Sequence, residues 1–137
     1  RAADEFLRAC LVDQEMMLQP YLSRVETDGE ISVMLIDGEP THSVQKLAVA
    51  GDYRVQDAHG GTDHLVELDP ALVEISKRAL SVAPGGDVPL YARVDFLFDE
   101  EGVAVVNELE LIEPMLFFQH YPEAAEVFAD ALCSLRP

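Results

Sequence analysis

Residues 91–114 read YARVDFLFDEEGVAVVNELELIEP, and the alternation within them decides the fold. Leu90, Ala92, Val94, Phe96 and Phe98 alternate with Tyr91, Arg93, Asp95 and Leu97, the period-two pattern of a strand with one wholly apolar face. Asp99-Glu100-Glu101-Gly102 reads as the turn of a hairpin. Pairing Phe98 with Val103 across that turn sets Asp95 opposite Val106 and Arg93 opposite Glu108, with Glu110 two residues further along. Arg93, Asp95, Glu108 and Glu110 then share a face. Three carboxylates so close raise one another's pKa unless a cation sits among them, so the face reads as a divalent-metal platform beside an arginine. Ligation by oxygen alone favours Mg²⁺ or Mn²⁺ over zinc. The alternative is a solvated outer face of an antiparallel sheet, and Glu-Leu-Glu by itself does not separate the two.

Outward from this hairpin, the spacing predicts the further elements. Phe6, Leu7, Cys10 and Leu11 give an amphipathic helix over 2–12, and residues 16–22 form an extended apolar segment in which Pro20 favours an edge or a hinge. Glu30 to Ile36 and Thr41 to Val49 flank Asp37-Gly38-Glu39-Pro40 as a second hairpin. Residues 50–63, AGDYRVQDAHGGTD, read as a loop. Asp69 caps a helix with Pro70 in its first turn, Leu72, Val73, Ile75, Ala79 and Leu80 supply its buried stripe, and Pro84-Gly85-Gly86 ends it. A closing helix over 122–135 carries acids in its first turn, as the helix dipole prefers. The expected class is α+β, with helices packed on an antiparallel sheet.

Composition narrows the function. The 137 residues, 49% of them hydrophobic, suffice for one compact domain with no internal repeat or second domain boundary. A net charge of −17, from 26 acidic and 9 basic residues, argues against nucleic acid or an anionic membrane as the main partner. No apolar run approaches the ~20 residues of a membrane span, and no signal-peptide pattern opens the chain, so the expectation is a soluble, cytoplasmic protein. Cys10 and Cys133 fall at apolar helical positions and read as packed free thiols. Met115, Leu116, Phe117 and Phe118 read as core, or else as a surface for another lobe or a second chain. The chain opens at Arg1, directly in a helical pattern, which reads as a piece of something longer.

Against so acidic a background the few cations are informative. Lys46, Arg54 and Arg93 all fall in or beside the segments already singled out. Metal-binding carboxylates with two or three cations are what a polyphosphate site needs, because cations neutralise the charge that spreads as a phosphoryl group transfers. His59-Gly60-Gly61-Thr62 either brings backbone N–H groups close to a phosphate or carboxylate, or is an ordinary turn.

These residues together resemble the C-terminal half of an ATP-grasp domain. Gln19-Pro20-Tyr21-Leu22 resembles the hinge that runs past the adenine. Gly29-Glu30-Ile31-Ser32, Lys46, Gly51-Asp52-Tyr53-Arg54-Val55-Gln56 and His59 to Thr62 resemble a stretch of glutathione synthetase-like and RimK-like ligases that reads roughly Gly-Asp-Phe-Arg-x-Asn and then Gly-Gly. Arg93-Val94-Asp95 and Glu108-Leu109-Glu110 match the metal-ligating Asp and the Glu-x-Asn pair. The resemblance implies an ATP-dependent carboxylate–amine or carboxylate–thiol ligase working through an acyl phosphate. It places Gln19 and Leu22 at the adenine, Asp95, Glu108 and Glu110 on Mg²⁺ or Mn²⁺, Lys46 and Arg93 on the phosphates, and Arg54 with His59, Gly60, Gly61 and Thr62 toward the substrate. Lys46, Arg54 and Arg93 become the catalytic cations. Glu110 and Gln56 stand where the family commonly has asparagine, and Glu110 adds a negative charge. The nucleotide-clasping subdomain that precedes this portion has no counterpart in these residues, so the expected partners include that subdomain, and the fragment alone is expected to be inactive. Two other readings stay open, a kinase that stops at a phosphorylated product and a non-catalytic module that keeps the fold for regulation or assembly.

Overall fold

The computed structural model describes residues 2–49, 53–55 and 60–135. Its elements are α1 (Ala2–Cys10), α2 (Val25–Asp28), β1 (Glu30–Ile36), β2 (Glu39–Leu47), β3 (Thr62–Val66), α3 (Pro70–Ser81), β4 (Tyr91–Phe98), β5 (Ala104–Glu110) and α4 (Glu123–Ser134). The five strands form one sheet in the order β3-β2-β1-β4-β5, with every neighbouring pair antiparallel. This is the α+β layer that the alternation predicts. Among the described residues, no helix is long and apolar enough to cross a membrane.

Strand β1 is central, and its sequence EISVMLI is buried on both faces. Val33 and Leu35 join Ala92, Val94 and Phe96 of β4 on one face, where Leu72, Ile75 and Leu80 of α3 cover them. Helix α3 starts where the cap predicts, with the Asp69 side chain accepting from the Ala71 N–H at 2.8 Å and Pro70 in the first turn. On the other face Met34 and Val44 pack under Leu116 and Phe117 of the segment between β5 and α4, and Phe128 of α4 meets Tyr91 and Phe118. His42 of β2 ties that segment down. Its Nε2–H donates to the Leu116 carbonyl at 3.0 Å, its Nδ1 accepts from the Thr41 hydroxyl at 2.9 Å, and Tyr121 lies against the ring. Burial holds the His42 pKa below the ordinary imidazole value, partly offset by the backbone carbonyls of Leu116 and Phe117.

Several expectations need correction. The hairpin of β1 and β2 turns on two residues, Asp37 and Gly38, both at positive φ, so β2 starts at Glu39 and Pro40 sits beside a bulge, where a missing N–H is tolerated. Residues 62–66, of which the expected loop takes in Thr62 and Asp63, form the edge strand β3 against β2. Val25–Asp28 adds a one-turn helix held by an Arg24–Asp28 pair. Helix α1 buries no side chain, and both cysteines are free thiols, Cys10 partly buried and Cys133 exposed rather than packed. Phe117 is core as expected, whereas Met115 is exposed.

The central hairpin departs from its expected register by two compensating residues. Phe98 pairs with Ala104 rather than Val103, because Asp99 accepts from the N–H groups of Glu101 and Val103 and lengthens the turn. That single residue would turn Glu108 and Glu110 to the opposite face. A bulge between the pairs Phe96–Val106 and Asp95–Glu108 adds Asn107 as the extra residue and restores them. Asp95 therefore faces Glu108, and Arg93 faces Glu110.

Two outcomes follow from this packing. Phe96→Ala, at a fully buried position under α3, is expected to cost about 3–5 kcal/mol in urea unfolding, while Val82→Ala on the surface stays within about 0.5 kcal/mol. Because the His42 pKa is lowered in the folded state, its contribution is complete above the unfolded value of about 6.5 and is lost as pH falls below it. Melting temperature should drop between about pH 7.5 and 5.5, and His42→Gln should flatten that slope.

Candidate active site

The face of the sheet opposite α3 carries a row of charged side chains drawn from four strands. Asp95 is at its centre and is 1% exposed. Its Oδ1 accepts from Ser32 Oγ at 2.6 Å and from Arg93 Nε at 2.9 Å, and its Oδ2 accepts from Arg93 Nη2 at 2.9 Å and Lys46 Nζ at 3.4 Å. Burial alone would raise the Asp95 carboxyl; the Arg93 hydrogen bonds and the charges of Lys46 and Arg93 overcome it and hold the group below the usual carboxylate range. Strand pairing makes this possible. Ser32 is opposite Asp95 across β1 and β4, and Lys46 is opposite Glu30 across β1 and β2.

Glu30 was not singled out for a role. It is 7% exposed, ion-paired with Lys46, and accepts from the Asn107 side-chain amide at 2.9 Å. Burial raises its carboxyl, and the negative charge of Asp95 adds to that, against the pull of Lys46. Asn107, the extra residue of the bulge, was also missed, as was Ser32. The signal for Glu30 was in its spacing, since it alternates with Ser32 and Met34 on the face that Lys46 shares. Asp63 of β3 pairs with His120 at 2.5 Å, an interaction that no local pattern announces.

Asp95, Glu108 and Glu110 each offer an oxygen within 4.8 Å of the other two. An octahedral Mg²⁺ holds oxygens at about 2.1 Å, and so about 3–4 Å from one another. Rotation of the exposed Glu108 side chain spans the difference, and the donors are all hard oxygens, so these residues fit such an ion. Arg93 also pairs with Glu110, and its Nη1 donates to the Met115 carbonyl at 3.4 Å.

Beside this row lies a cavity of about 450 Å³, lined by residues that include Gln19, Leu22, Glu30, Tyr53, Arg54 and Asn107. The structure thus brings Gln19, Leu22 and Arg54 together at one cavity that adjoins the Lys46–Asp95 row through Glu30. Gly60, Gly61 and Thr62 are not in its lining: Thr62 opens β3, at the far edge of the sheet from β5, and Gly60 takes a positive φ of 82°. His59 lies outside the described residues, as do Gly51, Asp52 and Gln56.

A family model described as the prokaryotic glutathione synthetase ATP-grasp domain matches residues 7–84. The cycloserine biosynthesis protein DcsG of Streptomyces lavendulae is 33% identical over 128 residues, which is 89% of this chain and 43% of that protein. D-alanine–D-alanine ligase B of Clostridium perfringens is 29% identical over 118 residues, or 83% of this chain and 38% of the ligase. The crystal structure of D-cycloserine synthetase DcsG superposes with a TM-score of 0.71 at 27% identity, covering 85% of this chain and 41% of that one. A D-alanine–D-alanine ligase from Bacillus anthracis complexed with ATP shares the fold at a TM-score of 0.52 and 19% identity, over 75% of this chain and 35% of that one. The chain spans less than half the length of the curated relatives it matches. With this ATP-grasp family model covering more than half of the chain, the chain belongs to the ATP-grasp superfamily.

Proposed function

We propose that this chain supplies the metal- and phosphate-binding portion of an ATP-dependent ligase that joins a carboxylate to an amine or thiol through an acyl phosphate. The observation that carries the reading is the convergence of Asp95, Glu108 and Glu110 with Arg93 and Lys46, next to the cavity that holds Gln19 and Leu22. A bound Mg²⁺ or Mn²⁺ would neutralise phosphate oxygens there. Asp95 would be its fixed ligand, since Ser32 and Lys46 orient the carboxylate from the neighbouring strands, and Glu108 and Glu110 its adjustable ones. Lys46 and Arg93 would face the charge that develops on the transferring phosphoryl group, where water is largely excluded and each cation counts for more than at the surface. Gln19 and Leu22 would frame the adenine, with Glu30 and Asn107 offering an acceptor and a donor in the same cavity. Arg54 at the cavity rim, and His59 to Thr62, would meet the substrate.

In this scheme the substrate carboxylate attacks the γ-phosphorus, ADP leaves, and the acceptor then displaces inorganic phosphate from the acyl phosphate. The relatives named as D-alanine–D-alanine ligases join an amino-acid carboxylate to an amine, which favours an amine acceptor. The rest of the enzyme would come from sequence that these relatives have and this chain does not span.

The test uses the full-length protein with pooled carboxylates and hydroxylamine as acceptor. Mg²⁺-dependent ADP release with hydroxamate formation is expected, and Glu108→Gln and Lys46→Met should each lower the rate by about a hundredfold or more. ADP release without hydroxamate would make the protein a kinase. No stimulation of ADP release by any pool, together with no Mg²⁺-dependent nucleotide binding, would leave a non-catalytic module.

A further inference from the structure

The Arg93 guanidinium occupies the space among the carboxylates. Its Nη2 lies 2.9 Å from Asp95 Oδ2 and also pairs with Glu110 Oε2, so one nitrogen bridges two of the three acids. Its Nε lies 2.9 and 3.2 Å from the two Asp95 oxygens. With Ser32 on Oδ1 and Lys46 on Oδ2, the acceptor capacity of Asp95 is filled by protein donors. An ion bound by Asp95 and Glu110 must approach their oxygens to about 2.1 Å, inside the space that Nη2 now takes. Both cannot be there.

We propose that Arg93 is a displaceable occupant of the metal position, which holds the carboxylates together until a divalent ion replaces it and turns its guanidinium outward to an anion. This inference rests on the metal reading above and adds an order of events to it. Charge favours the exchange. Glu30, Asp95, Glu108 and Glu110 face Lys46 and Arg93, four acids against two bases, an excess of two negative charges that one divalent ion balances. Geometry gives the arginine somewhere to go, because Nη1 already reaches past the sheet to the carbonyl of the exposed Met115. Lysine would not serve equally, since a point charge cannot grip both oxygens of Asp95 and Glu110 at once.

The experiment is a titration of the full-length protein with Mg²⁺ alone, followed by ¹⁵N NMR of arginine Nε–H groups, with occupancy measured separately by calorimetry. The Arg93 signal is assigned by its loss in Arg93→Lys. It should shift in step with occupancy and exchange with solvent at least about tenfold faster once its carboxylate acceptors are taken. Arg93→Lys, which keeps the charge but not the fork, should bind Mg²⁺ on the order of tenfold tighter than the wild type. Saturation with Mg²⁺ while the Arg93 signal stays in place, or unchanged affinity in Arg93→Lys, overturns the displacement and leaves the metal platform standing. Failure of the wild type to bind Mg²⁺, or equal binding by Glu108→Gln, removes the platform and this inference with it.

Discussion

A carboxylate buried in the middle of a sheet is the constraint to which the rest of this structure answers. Asp95 sits between apolar neighbours on β4, and an unpaired charge there would be strongly destabilising. Its partners come from one adjoining strand, the strand beyond it and β4 itself. Ser32 lies across β1, Lys46 across β2, and Arg93 two residues back on β4 itself. Each partner then brings a requirement of its own. Lys46 draws in Glu30, Glu30 draws in Asn107, and Arg93 draws in Glu110, so a single buried charge organises side chains on four of the five strands. Such a network is costly to bury, and a hydrophobic row of the same volume would be at least as stable. Its presence fits the metal and phosphate role proposed above.

The bulge at Asn107 shows how backbone and chemistry are matched. The turn from Asp99 to Val103 and the bulge each add one residue, and their effects on side-chain parity cancel. Without the bulge, Leu109 would face Arg93 and the acids of β5 would join the α3 side. The extra residue is itself used, since its amide satisfies Glu30. Bulges next to active sites often re-aim a side chain in this manner.

Much of this was legible in residue order. The alternation of β1 and β4, the Asp69-Pro70 helix start and the shared face of Arg93, Asp95, Glu108 and Glu110 are local patterns, and local patterns are readable without coordinates. The exact pairing was not, because turn length depends on Asp99 taking two backbone N–H groups, and the right face was reached through a register that is itself wrong. The partners Glu30, Ser32 and Asn107 escaped notice for a different reason. Each is separated by many residues from the partner it meets, Lys46, Asp95 or Glu30, and reaches it only once strands pair. Helix α1 marks the opposite limit: its periodicity is helical, yet no side chain is buried, so an amphipathic pattern identifies a face without identifying what covers it.

The strand order also has a kinetic side. Hairpins β1–β2 and β4–β5 close over short turns, whereas the seam between β1 and β4 must bring together segments separated by residues 37–90. Closing a loop of roughly fifty residues costs about 3.5 kcal/mol of chain entropy before any contact repays it. Val33, Leu35, Val94 and Phe96 supply that repayment on one side of the seam, and Ser32 with Asp95 lies directly on the other. Neither hairpin alone can satisfy the buried carboxylate. The slow, non-local step of folding and the assembly of the charged row are therefore the same event, and partly folded chains hold the separate acids but not the site.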